Sequence, residues 1–220
     1  ESQGGAGYRL WLDDGAALDA DAVVLAAPAR AAAPLVQDLD TDLAARLASI
    51  RTISTATVSL GYRRADVGRP LDSSGFLIPT KEGHGITGCT WSSTKFAGRA
   101  PDDAVLLRCF IGRPTDQMTP LLPEADLVRI ARDELRVLMG ITAGPVLTRV
   151  YRWRDAHPQY DVGHLDRMAE VDRLCAAHPG LYLTGSSYRG VGLPDCIHNA
   201  SLTAEALLHR MPTEVGATML

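Results

Sequence analysis

Residues Gly180–Ile197 read GLYLTGSSYRGVGLPDCI, and this stretch decides the fold. An apolar run at Leu181–Thr184 gives way to three glycines, Gly185, Gly190 and Gly192, and then to a helix-like segment. Glycine weakens regular structure, so such a cluster marks a tight turn or a close approach to the backbone. Strand, glycine turn and helix is also the arrangement that turns backbone N–H groups toward an anion or a polar ring edge. Pro194 suits a first helical turn because the N–H it lacks would have no partner there. A plain glycine-rich loop before a C-terminal helix accounts for the spacing equally well, since GxG alone is weak.

Working outward, Tyr8–Leu12 alternates and Asp13-Asp14-Gly15 is a turn signal, which predicts a hairpin. Asp21–Ala27 is a short apolar strand of the doubly buried kind, stopped by Pro28, with a small-residue helix from about Arg30. Asp40–Ile50 has Leu43, Leu47 and Ile50 at helical spacing, with Thr41 as its cap. Strands are expected at Ile53–Tyr62, Gly75–Ile78, Ile86–Trp91, Ala104–Ile111 and Val146–Trp153. Glu124–Met139 is the clearest helix, with Leu127, Ile130, Ala131, Leu135 and Leu138 on one face and Gly140 as its C-terminal cap. Helices are also expected at His164–Ala177 and Ser201–Met211, and a frayed tail at Thr213–Leu220. Parallel-type strands at both ends, with an antiparallel block and one long helix between them, predict an α/β (α+β) protein in which one domain interrupts another. The expected boundaries are 1–37, 38–150 and 151–220.

Composition narrows the function. The chain has 220 residues, 46% hydrophobic and 5% aromatic, with a net charge of −4. Its 22 lysines and arginines are scattered, so nucleic acid is excluded as a partner. Cys89, Cys109, Cys175 and Cys196 form no CxxC pair, and reduced thiols in a cytosolic protein are expected. No apolar run reaches the length of a membrane span. The six histidines show no metal-ligand spacing, so no metal is expected. GSSYRG is one residue too long for a serine-hydrolase elbow.

Five separated motifs resemble, in order, those of the oxygen-dependent porphyrinogen oxidases of the flavin amine oxidase superfamily. They are ADAVVLAAPA at 20–29, GFLIP at 75–79, TWSSTKFAGRAP at 90–101, WRDAHPQYDVGH at 153–164 and the opening stretch. The resemblance implies FAD as cofactor and oxidation of a porphyrinogen with O2 as acceptor. The cofactor carries the hard step, in keeping with the absence of a catalytic acid–base pair. It places Ala27 and Pro28 near the adenosine, Gly185, Gly190, Val191, Gly192 and Leu193 along the flavin, and Trp153 and Tyr160 over it. Leu77, Ile86 and Phe110 would line the substrate pocket, with core packing as the alternative for each. Lys95 and Arg99 would meet propionates or stay solvated. The segments 1–37 and 151–220 would then be parts of an FAD-binding, Rossmann-like domain, and 38–150 a substrate domain.

The chain has no GxGxxG loop, which the family uses for the FAD pyrophosphate. It therefore corresponds to a C-terminal portion, with the missing N-terminal dinucleotide-binding half as its partner, and is expected to be inactive and to bind FAD weakly or not at all alone. A homodimer and a peripheral membrane contact stay open, as does the choice between coproporphyrinogen III and protoporphyrinogen IX. Two alternatives remain: a polyamine or amino-acid oxidase, and an inactive structural or partner-binding half-domain.

Overall fold

Alternation of β-branched residues over Thr52–Arg63 makes the longest internal strand of the chain, β4, in the computed structural model, which describes residues 7–210. Ala56, Val58, Leu60 and Tyr62 point to one side and are buried, as a two-residue period requires. Around β4 stands a five-stranded sheet in the order β5 (Gly75–Leu77), β6 (Gly88–Trp91), β7 (Ala104–Ile111), β4, β8 (Leu147–Pro158). The short helix α3 (Ser92–Lys95) follows β6. On the core side lies α4 (Glu124–Met139), which buries Leu127, Ala131, Leu135 and Met139 at a four-residue spacing. Each such leucine contributes about 1.5–3 kcal/mol. Gly140 ends α4 in the left-handed conformation, at φ +72°. Its N–H reaches Arg136 O at 3.1 Å and the Ile141 N–H reaches Leu135 O at 3.3 Å, so two end carbonyls are satisfied.

The chain divides into two units, residues 1–51 with 158–220, and residues 52–157. The sheet and α4 form the second. In the first, β1 (Tyr8–Trp11) and β2 (Ala17–Ala20) form an antiparallel hairpin with Leu10 opposite Leu18. β3 (Val23–Leu25) pairs in parallel with β9 (Leu181–Leu183), Val24 opposite Tyr182. Helices α1 (Ala29–Leu35), α2 (Thr41–Ala48) and α5 (His164–Ala176) share a core that includes Ala29, Ala32, Leu43, Leu47, Met168 and Leu174. Alanines on α1 let α2 approach closely.

Three expectations are corrected. The unit boundaries fall at Arg51 and Pro158, not at 37 and 150, because α2 packs on α1 and α5 through Leu43 and Leu47. The cap of α2 is Asp40, whose carboxylate accepts from the N–H groups of Asp42 at 3.0 Å and Leu43 at 2.9 Å. The last helix, α6, runs Leu193–Arg210 and starts eight residues before Ser201. Met211 and the tail expected at Thr213–Leu220 lie outside the described residues. Among the described residues no helix is long and apolar enough to cross a membrane, no group of residues could hold a metal ion, and all four cysteines are free thiols.

Candidate functional site

In the first unit the site is built at the carboxyl ends of β3 and β9, where parallel sheets place ligands. The Thr184 N–H continues the pairing to Leu25 O at 3.1 Å, and then the two chains part. The loop after β9 is bound back to the start of α1. Ser187 Oγ accepts from the Ala29 N–H at 3.0 Å, and the Tyr188 hydroxyl donates to Ala27 O at 3.4 Å. Pro28 occupies the cap position of α1 and has no side-chain oxygen, so the buried Ser187 hydroxyl, 158 residues away, supplies the missing acceptor. Tyr160 donates to Ser186 O at 2.6 Å and stacks on His164 with ring centroids 3.9 Å apart. His164 Nε2 donates to Tyr188 O at 2.8 Å. A carbonyl only accepts, so Nε2 carries the proton. Burial, with the Cys196 thiol adding, holds the Tyr160 phenol above its usual range, and burial pushes Tyr188 up to about 12. Both phenols stay protonated donors at neutral pH.

The glycines of the opening stretch act here in two ways. Gly185 at φ +112° and Gly190 at φ +76° take backbone that other residues avoid. What lies against Gly190 and Gly192 within the chain is Asp195, from the first turn of α6. A Cβ on Gly190 would stand 2.4 Å from Asp195 Cβ, and one on Gly192 would stand 3.0 Å from Asp195 Oδ2. Val191 and Leu193 point outward and are exposed. At the end of β9 the Thr184 hydroxyl is buried, and it and His164 Nδ1 have no hydrogen-bond partner among the described residues. A polar-edged ring would satisfy such groups, so these loops fit a flavin.

In the second unit the side of the sheet away from α4 is open. Register sets its composition. Leu77 stands opposite Gly88, Gly88 opposite Phe110, and Phe110 opposite Thr57, so their side-chain positions form one row across four strands. Gly88 gives Leu77 room to lie flat: Leu77 Cδ2 would come within 3.0 Å of a Cβ there. The adjacent row holds Gly75, Thr90, Arg108 and Ser59. On β8, Val150 packs into the core, so Tyr151 and Trp153, offset by odd steps, are on the other face. Leu77 is 87% exposed, Tyr151 59% and Trp153 49%. The Arg108 side chain is exposed and makes no hydrogen bond or ion pair among the described residues. The result is a flat apolar and aromatic surface beside one unpaired positive charge.

The sequence-predicted residues thus separate into two groups. Ala27, Pro28, Tyr160, Gly185 and Gly190–Leu193 gather in the first unit, and Leu77, Phe110 and Trp153 share the open face of the second. Ile86 does not join them. It is 0% exposed in the core of the second unit, because it precedes β6 and the chain there turns its side chain inward. Lys95 and Arg99 flank the exposed Phe96 ring at 5.4 and 5.6 Å. Sequence reasoning missed Arg108, Tyr151 and Ser187. The first two carried a signal, since both alternate with core residues on their strands. Ser187 carried none, because its role depends on a contact with α1.

The sequence profile of the flavin-containing amine oxidoreductases matches residues 2–208. The chain is 38% identical over 197 residues to the coproporphyrinogen III oxidase of Bacillus subtilis (strain 168), covering 89% of this chain and 42% of that protein. It is 40% identical over 200 residues to the coproporphyrinogen III oxidase of Propionibacterium freudenreichii, covering 90% and 37%. A crystal structure of a protein from Exiguobacterium sp. 255-15, assigned as a protoporphyrinogen oxidase, superposes with a TM-score of 0.76 at 31% identity, over 95% of this chain and 46% of that one. The chain spans about two-fifths of the length of the curated relatives it matches.

Proposed function

The chain belongs to the flavin-containing amine oxidoreductases, and on that premise we propose that it forms the substrate face and part of the cofactor site of an FAD-dependent porphyrinogen oxidase. The reaction removes six electrons and six protons from a porphyrinogen, giving a porphyrin, while three O2 become three H2O2. The single observation that carries this reading is the open sheet face, with Leu77, Phe110, Tyr151 and Trp153 beside the unpaired Arg108. A porphyrinogen is apolar at its centre and carboxylated at its rim, and this surface matches both properties.

Residues 1–51 and 158–220 are proposed to contribute to a Rossmann-like FAD-binding domain, and residues 52–157 to be the substrate domain. A bound flavin would supply the electron acceptor that no side chain here provides. The chain's own groups would hold it. Ala27 and Pro28 would flank the adenosine, the Gly185 and Gly190–Leu193 main chain would border the ring system, and Thr184 would donate to a ring edge. Tyr160 fixes the loop through Ser186, and Trp153 belongs to the aromatic surface of the substrate domain. The N-terminus of α6 favours negative charge nearby. On the substrate face, Leu77 and Phe110 would exclude water from the macrocycle. Arg108 would orient it through a carboxylate, while Ile86 supports β6 from beneath. Free thiols fit the cytosol as the compartment.

The runner-up, an amine oxidase, is disfavoured by Arg108, since an exposed guanidinium repels a cationic substrate. The test is to load the intact protein with FAD and follow porphyrin fluorescence from coproporphyrinogen III and protoporphyrinogen IX, with putrescine as control. Porphyrin formation without amine turnover supports the reading, and peroxide released only with the amine refutes it.

A further inference from the structure

On the α4 side of the second unit, away from the open sheet face, α4 and residues 141–143 border a half-open cavity of about 290 Å3. Arg129, Arg132 and Arg136 line it from one face of the helix, against a single carboxylate, Asp133. Their three- and four-residue spacing brings the guanidiniums together. Ala125, Val128 and Ile141 supply apolar wall between them. Tyr62 also lines the cavity and is 1% exposed.

Two of these side chains have no partner. The Tyr62 hydroxyl makes no hydrogen bond among the described residues, and Arg132 makes neither a hydrogen bond nor an ion pair. The ring of Tyr62 is buried, while its hydroxyl keeps slight access to the cavity, where a ligand can reach it. Arg129 does bond Asp126, at 3.1 Å, and Arg136 pairs with Asp133 at 3.8 Å, but exposed pairs of this kind hold their partners weakly.

We propose that this cavity binds a small oxyanion, carboxylate or phosphate, carried on an apolar body about the size of one ring. The Tyr62 hydroxyl donates to the anion, Arg132 supplies the facing charge, and Arg129 and Arg136 close the rim. The apolar wall takes the body of the ligand. The volume falls just below the usual range of small-molecule sites, roughly 300–1,000 Å3, and suits a ligand of about one ring. Burial pushes the Tyr62 phenol up to about 12, so it is a donor at neutral pH. The site stands apart from the proposed oxidation, because none of its residues lies on the open sheet face.

The experiment is calorimetric titration of the intact protein with phenyl phosphate, benzoate and inorganic phosphate. Saturable one-to-one binding of phenyl phosphate is expected, weakening as salt rises. Tyr62→Phe, which keeps the core filled, and Arg132→Gln, on the surface, are each expected to weaken it about tenfold or more. Arg108→Gln is expected to leave it unchanged. No saturable binding of any probe would overturn the proposal, as would unaltered affinity in both variants. Loss of binding in Arg108→Gln would place the probe on the open sheet face and overturn it too. Equal affinity for inorganic phosphate and phenyl phosphate would overturn the role of the apolar wall.

Discussion

Removing the Ser187 hydroxyl tests how the loops after β3 and β9 are held together. Ser187→Ala leaves the Ala29 N–H, now 3.0 Å from Ser187 Oγ, without an acceptor in a place closed to water: Ala29 is 0% exposed and Ser187 2%. No local replacement exists, because Pro28 at the cap position offers no side-chain oxygen. A buried N–H stripped of its partner costs about 1–3 kcal/mol, and loss of a cap alone about 1 kcal/mol. The cost falls on α1, whose Ala32 N–H bonds Pro28 O at 2.9 Å in the first turn. Amide hydrogen exchange reads it residue by residue. The Ala32 amide is expected to exchange about 10- to 100-fold faster in the variant, from tenfold per 1.4 kcal/mol, while the Leu107 amide in the second unit keeps its rate. A change below about twofold at Ala32, or an equal acceleration at Leu107, would refute the reasoning.

Gly75→Ala should destabilise the second unit by more than about 2 kcal/mol, since the new Cβ would lie 2.0 Å from Cys89 O at φ +133°. Its melting temperature is expected to fall by roughly 8 °C or more, and a fall of under roughly 2 °C would count against the β5–β6 geometry. The Leu43 backbone N–H first, and the His178 side chain second, hold the Asp40 carboxyl below its usual range. A lowered folded pKa adds stability that is full above the unfolded value of about 3.9 and is lost as pH falls through the folded one. Denaturation followed from pH 7 to pH 2 should therefore show the wild type losing more stability below about pH 4 than Asp40→Asn, and parallel curves would contradict this. Arg108→Gln is expected to raise KM for coproporphyrinogen III about tenfold with little change in kcat, and Arg108→Lys to restore part of the loss. An unchanged KM in steady-state assays would remove Arg108 from the substrate face.

Local signals carried much of the fold. The period of Leu127, Ala131 and Leu135 and the glycine after Met139 define α4 because helix, face and cap are decided within a few residues. The β3 and β9 strands were legible for the same reason. What was not legible depends on distant contacts. The allegiance of α2 is set by packing on α1 and α5, which no window of sequence contains. The start of α6 was signalled by Pro194, which suits a first helical turn, and Cys196 N bonds Gly192 O there at 2.9 Å, although sequence reasoning bounded the helix only from Ser201. The candidate site divides in the same way. Motif resemblance pointed to Leu77, Phe110 and Trp153, but only sheet register shows that Arg108 shares the face of Leu77 and Phe110, and only burial shows that Ile86 does not. The glycines of the opening stretch were right as a sign of close approach. Within the chain, the approaching group is Asp195.

The open sheet face as a tetrapyrrole platform is the claim on which the functional reading rests, and Leu77 is its most exposed apolar member, so replacing it leaves the core intact. The direct measurement is titration of coproporphyrin III, the stable oxidised ring, into the intact protein, read as a Soret shift and as quenching of tryptophan emission. The wild type is predicted to saturate, and Leu77→Glu, placing a charge in the row of Gly88 and Phe110, to weaken binding about tenfold or more. Equal binding by the two proteins, or none by the wild type, would contradict the account.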